Sequence, residues 1–344
     1  MRHWIVGLVL GVVITGGQAR GTFTYTTLDP PGSTTTYARA IDGSNVAGEY
    51  RDGSRGHGFL YNGSSYTTLD PTGSTSTSVN GIDGSNVVGC YVDSSSVWHG
   101  FLYDGSTYTT LDPTGSISTY PFGIDGNNVV GSYHDSSWVG HGFLYDGSSY
   151  TTLDPTGATS TTAYGIDGSN VVGYYGDSSG VRHGFLYDGS SYTTLDPPGS
   201  TYTAAFGIDG SKVVGDYRDS SGVYHGFLYD GSSYTTLDPT GATSTYARAI
   251  DGSNVAGSYV DSSGVHGFLY DGSSYTTLDP PGSTYTDAYG IDGSNVVGYY
   301  IDSSGVTHGF IASEATSAVI PEPSTILIWS LLVAIGIGWY RRRK

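Results

Sequence analysis

The chain has 344 residues, 54 of them Gly and 31 Tyr, and only 13% are charged; Gly breaks helix interiors while Tyr, Thr and Val suit a pleated, half-buried surface, which excludes a helical protein and reads as all-β. The net charge is −18, and from Arg20 to Ile320 there are 8 basic against 30 acidic residues, near −22, which argues against nucleic acid and anionic membrane surfaces as partners. Cys90 is the single cysteine, so an intrachain disulfide is excluded.

Residues 1–19 read as a secretory signal peptide. Arg2 and His3 form a short basic start, Trp4 to Thr15 an apolar stretch, and Gly17-Gln18-Ala19 a small-residue site with cleavage expected after Ala19.

Residues 20–311 are a sevenfold repeat. Leu-Asp-Pro recurs from Leu28 to Leu278, Ile-Asp-Gly from Ile41 to Ile291 and His-Gly-Phe from His57 to His308, in steps of 41 or 42 residues. In the unit beginning at His141, strands are predicted at His141–Tyr145, Ser149–Leu153, Thr161–Ile166 and Asn170–Asp177, separated by Asp-Gly and Asp-Pro turn signals. Four strands in about 42 residues is the period of a propeller blade. The chain enters the repeat at Thr22–Leu28, a second strand, and leaves it at His308–Ile311, a first strand. Those two ends complete one blade, and pairing them removes sheet edges prone to aggregation. The expected fold is a seven-bladed β-propeller closed by pairing of the N- and C-terminal strands. A β-solenoid is the rival, but it usually needs atypical terminal copies, and the outermost copies resemble the inner ones.

This unit resembles the HAF-type extracellular repeat, in which a His-x-Phe strand precedes a turn and a Val-Val-Gly strand. The resemblance spans Thr22 to Ile311 and departs in its middle Gly and in Tyr where Trp is common. It implies an exported protein and supplies no reaction.

Seven symmetry-related histidines suit no single catalytic or metal site. Their expected role is a blade-to-blade hydrogen bond to a turn Asp or to backbone. Nearly every Ser, His and Asp recurs, whereas catalysis needs one particular constellation, so the chain is read as not an enzyme. Asp146, Asp154, Asp167 and Asp177 lack the D-x-D-x-D-G spacing of a calcium loop and are read as turn residues. No phosphate-loop pattern occurs, and neither cofactor nor metal is expected.

Differences between copies are more informative. Just before the Gly/Ala-Ile-Asp step stand Arg39, Asn80, Phe122, Tyr164, Phe206, Arg248 and Tyr289; directly after the Gly of Val-Val/Ala-Gly stand Glu49, Cys90, Ser132, Tyr174, Asp216, Ser258 and Tyr299. Lining one face or a central channel, they would form a mixed aromatic, Arg and acidic ligand face suited to sugar rings. An extracellular polysaccharide is the expected partner.

After a linker at 312–320 come Pro321-Glu322-Pro323, a largely apolar run from Ile326 to Tyr340, and Arg341, Arg342, Arg343 and Lys344. The run reads as a transmembrane helix over 326–340, somewhat short for a bilayer, with its basic end cytoplasmic. These three parts, over residues 321–344, resemble the PEP-CTERM sorting signal of Gram-negative bacteria. The resemblance implies recognition by an exosortase in the inner membrane, cleavage near the Pro-Glu-Pro box, and release or attachment outside the cell. Pro321, Glu322 and Pro323 would be substrate residues for that enzyme. The segment is sometimes labelled an ice-binding-protein C-terminal motif, a name that says nothing of activity. The expected function is a binding or structural module of the cell surface or extracellular matrix. The alternatives are a glycan-active propeller enzyme, which needs one blade with a distinct carboxylate or His cluster, and an ice-binding solenoid built on Thr ladders.

Overall fold

In the computed structural model, residues 22–315 are described, and Thr24–Ser313 make one compact unit. The expected signal peptide, sorting box, membrane helix and basic end lie outside the described residues. No helix long and apolar enough to cross a membrane occurs among the described ones.

The described region is all-β, with 28 strands in seven four-stranded antiparallel groups. The groups are numbered by their inner strands: Thr35–Asp42, Ser76–Asp83, Ser118–Asp125, Ser160–Asp167, Tyr202–Asp209, Ser244–Asp251 and Ser283–Asp292. Sheet 4, from centre to rim, is Ser160–Asp167, Asn170–Gly176, Arg182–Tyr187 and Tyr192–Leu195. Sheet 7 takes the chain's first strand, Phe23–Leu28, against its last, Thr307–Glu314.

The strands predicted around His141 occur at Gly140–Tyr145, Tyr150–Leu153, Ser160–Asp167 and Asn170–Gly176. They do not form one sheet. The first two are the outer strands of sheet 3, and the last two the inner strands of sheet 4. Turn chemistry sets this phase. Asp167 pairs with Asn170 across Gly168-Ser169, with Gly168 at φ 59°, a two-residue hairpin with Gly first as a type II′ turn requires. The Leu-Asp-Pro connection instead carries the chain to the next sheet.

Closure does not take the form of one continuous ladder. Each sheet is open, and a single bridge, Thr35 to Thr307, joins sheets 1 and 7. Successive sheets are instead linked by their Ile-Asp-Gly turns. Asp42 Oδ2 accepts the Gly84 N–H, Asp83 that of Gly126, Asp125 that of Gly168, Asp167 that of Gly210, Asp209 that of Gly252, and Asp251 that of Gly293, at 2.5–2.6 Å. Asp292 then accepts from Gly43 at 2.7 Å, bringing the last sheet back to the first. The solenoid rival, with its ends far apart, does not form.

The core is thin and repeated, lying between neighbouring sheets. Phe185 of sheet 4 is fully buried with Val171 and Ala163 against Val130 and Leu153 of sheet 3. The equivalent Phe59, Phe101, Phe143, Phe227, Phe268 and Phe310 are equally buried. The middle Gly of His-Gly-Phe follows from close packing: a Cβ on Gly184 would lie 2.7 Å from the Leu195 carbonyl oxygen.

Candidate functional site: an aromatic channel

Every inner strand carries an extra residue at the same position, and that of sheet 7 a second one. In sheet 4 the pairing passes from Ala163↔Gly173 to Gly165↔Val172, leaving Tyr164 without a partner. The same shift leaves out Arg39, Asn80, Phe122, Phe206, Arg248 and Tyr289. Such a bulge kinks a strand and re-aims its side chain. All seven sequence-predicted positions are therefore bulge residues, and all seven line one central cavity of about 530 Å³. The small residue that follows is required because the inner strands converge: a Cβ on Gly165 would meet the Phe206 carbonyl oxygen at 2.7 Å.

The wall is aromatic on one arc and charged on the others. Phe122 and Tyr164 have ring centroids 4.8 Å apart, and Tyr164 meets Phe206 edge-on at 5.1 Å. The Arg248 guanidinium lies over Phe206 at 4.8 Å, and that of Arg39 over Tyr289 at 4.6 Å. Arg39 is paired with Glu49 at 2.9 Å. Arg248 stands 3.8 Å from Asp216, too long for a hydrogen bond, and its Nε has no protein partner. Burial pushes the Asp216 carboxyl up to about 6 although Arg248 opposes the shift. Asn80 is committed to structure, donating through Nδ2 to the Pro121 carbonyl at 2.8 Å.

The second predicted series packs against the first. Besides Glu49 and Asp216, Tyr174 contacts Tyr164 and Tyr299 stacks on Tyr289. Ser132, Ser258 and Cys90 are buried; burial raises the Cys90 thiol to about 12, so it is inert.

The Ile residues of the same steps line both this cavity and a second space of about 240 Å³, which seven Asp residues, Asp42 to Asp292, also line. Another aromatic group forms a collar of which the sequence reading had singled out only Tyr299. It includes Trp98 against Tyr120 at 5.8 Å, Tyr224 against Tyr202 and Tyr246 at 5.9 and 5.5 Å, and Tyr299 against Tyr37 and Tyr285 at 4.8 and 5.7 Å. A signal was present. At the Tyr37 position the other copies carry Ser78, Tyr120, Thr162, Ala204, Tyr246 and Asp287, as varied as either series that was chosen.

The histidines do bond to turn Asp residues, but within a sheet rather than between blades. His183 Nδ1 is 2.6 Å from Asp196, and its Nε2 3.5 Å from Asp177, all in sheet 4. In sheet 7 the partner of His308 is Asp29, from the chain's beginning, at 2.7 Å. No group of three or more His, Cys, Asp or Glu side chains among the described residues is placed to hold a metal ion.

No protein-family model matches the chain, and no curated protein matches it. Its backbone is similar to solved β-propellers, and this establishes the fold. The β-propeller domain of the Trilobed protease from Pyrococcus furiosus superposes with a TM-score of 0.62 at 10% identity, covering 84% of this chain and all of that one. The acylaminoacyl peptidase of Pyrococcus horikoshii gives 0.58 at 9%, covering 83% of this chain and 53% of that one. A puromycin-hydrolyzing peptidase of Mycobacterium tuberculosis gives 0.58 at 14%, covering 87% and 55%. The chain thus spans about half the length of these two peptidases.

The expectation that the chain is not an enzyme is corrected by these likenesses. The fold it shares is the fold of peptidase propeller domains, so a repeated propeller is no argument against a part in an enzyme. The premise also fails physically: the copies differ where their inner strands converge, so the symmetry is broken at the one place where a single site is assembled.

Proposed function

We propose that this propeller is an exported binding module that holds a neutral carbohydrate in its central channel. One observation carries the reading: seven of the positions where near-identical copies differ are bulged into one cavity of about 530 Å³. The residues found there suit a sugar. Rings of Phe122, Tyr164 and Phe206 offer flat apolar faces to C–H groups, and Arg248 offers donors to hydroxyls. A net charge of −18 disfavours anionic polymers. In a glycan-binding screen, Tyr164→Ala and Phe206→Ala should each lose the bound glycans. A binding profile unchanged in both variants would sink the proposal.

We further propose that the seven sheets are blades of one ring held by its two ends, Phe23–Leu28 against Thr307–Glu314. The address is the chain's outer segments: export through residues 1–19, and recognition of Pro321-Glu322-Pro323 by an exosortase while the apolar run and Arg341 to Lys344 sit at the inner membrane. Cell-surface or extracellular location follows. Mass spectrometry of the protein from its native envelope tests this; a product that keeps both Met1 and Lys344 is the contrary result.

A further inference from the structure

We propose that the ligand of the channel is a polymer, and that it leaves the cavity across sheet 3 over an outer subsite formed by Trp138, His134 and Tyr120. This rests on the carbohydrate reading above and adds the length of the ligand to it.

Trp138 is 72% exposed, far more than any other large hydrophobic residue among those described. It occupies the turn between the second and third strands of sheet 3, where Asp135 accepts the N–H groups of Ser137 and Val139. Its φ is 61°. In the equivalent turns Gly180, Gly222 and Gly305 take the left-handed backbone at φ 83–91°, and the small Ser96 takes it at 66°. A Trp there costs backbone strain and leaves a large apolar ring in water, so folding does not explain it.

What the ring continues does explain it. Trp138 lies 5.9 Å from His134, His134 lies 6.1 Å from Tyr120, and Tyr120 lies 5.8 Å from Trp98. His134 is held by Ser118, whose hydroxyl is 3.1 Å from Nδ1. At the His134 position the other copies carry Arg51, Val92, Gly176, Arg218, Val260 and Ile301, so the imidazole belongs to this sheet alone. Tyr120 stands two residues before Phe122 on the same inner strand, and Phe122 lines the cavity. The rings thus run in series from Trp138 to Tyr120, and the strand that carries Tyr120 reaches the cavity at Phe122.

The chemistry of the strip selects its occupant. It is narrow, and each ring has a polar edge: an indole N–H, an imidazole nitrogen, a phenol. A chain of linked sugars, with alternating C–H faces and hydroxyls, matches such a strip. A protein partner's anchor would need a deep apolar pocket, which the strip lacks.

The test uses the intact protein with short and long members of β-1,4-glucan, β-1,4-mannan and α-1,4-glucan oligosaccharide series. Trp138→Gly, which installs the residue of three sister turns, should leave the affinity for the shortest binding member unchanged. It should weaken the longest by about tenfold, the scale of one aromatic contact. Its melting temperature should stay level or rise, the reverse of what a structural Trp predicts. Equal affinities at all lengths overturn the subsite, and if Tyr164→Ala still abolishes binding, the cavity reading stands without it. A change in self-association with no length dependence also overturns it, marking the patch as a protein contact.

Discussion

At the residue scale the repeated unit is a histidine between two carboxylates. His183 has Asp196 on Nδ1 and Asp177 on Nε2, with Tyr175 tilted against it at 5.2 Å. Burial pulls its pKa down, but the hydrogen bonds and charges of the two Asp residues outweigh that, and the net shift is upward; His141 and His266 are shifted likewise. A raised folded-state pKa contributes stability that is complete below the unfolded value of about 6.5 and is lost as pH rises through the folded value. The turn carboxylates have the opposite sign. Hydrogen bonds from Ser hydroxyls and backbone hold Asp177, Asp219 and Asp302 down to about 2, so their contribution fails only in strong acid. The melting temperature should therefore peak in mildly acidic buffer and decline from about pH 6.5 upward. His183→Gln should flatten part of that slope; a wild-type curve level across this range would refute the account. Burial gives a second residue-scale expectation. Phe185→Ala should lower unfolding free energy by about 3–5 kcal/mol in a denaturant titration, because the rigid sheets on either side collapse poorly into the hole.

At the scale of elements, strand positions were largely legible in the sequence. Asp-Gly and Asp-Pro turns bound each strand, and the ends predicted around His141 fall within a residue or so of those observed. Which strands share a sheet was not legible, because a periodic sequence has no marked origin and any four successive strands look like a unit. The channel positions were found from variation between copies, yet the bulge that aims them was invisible. It adds one residue to one strand without disturbing the 42-residue step. Collar residues such as Trp98 and Tyr224 escaped because they lie on a different strand from Tyr120 and Tyr246, and only folding brings them together. Close backbone approach gives an element-scale prediction. A Cβ at Gly173 would lie 2.0 Å from the Thr162 carbonyl oxygen, and that oxygen belongs to the paired inner strand. Gly173→Ala should force the two strands apart and cost several kcal/mol, at the upper end of single-residue effects; a urea midpoint equal to wild type is the result that would contradict it.

At the scale of the whole molecule, stability depends on links between copies. The Asp167 carboxylate accepting the Gly210 N–H is one of seven such bonds around the channel. Asp167→Asn replaces a charged acceptor with a neutral one and should cost about 1 kcal/mol, because charge-assisted bonds are the stronger kind. Removing residues 20–28 should do more. It strips the outer strand from sheet 7 and leaves an unpaired edge, so the truncated protein should melt earlier and aggregate on size-exclusion chromatography. A truncated protein as stable and monodisperse as the intact one would show that the clasp is dispensable.

That clasp is also transferable. Phe23–Leu28 completes a sheet whose other strands lie at the far end of the chain, so its acceptor groove is the same on every copy. When the strand lifts out at high protein concentration, the groove it vacates accepts the strand of a second molecule equally well, and each recipient still has its own strand to donate. An exchange of this kind closes reciprocally into dimers or runs head to tail into filaments, so the first strand is where crowding of this chain would be felt.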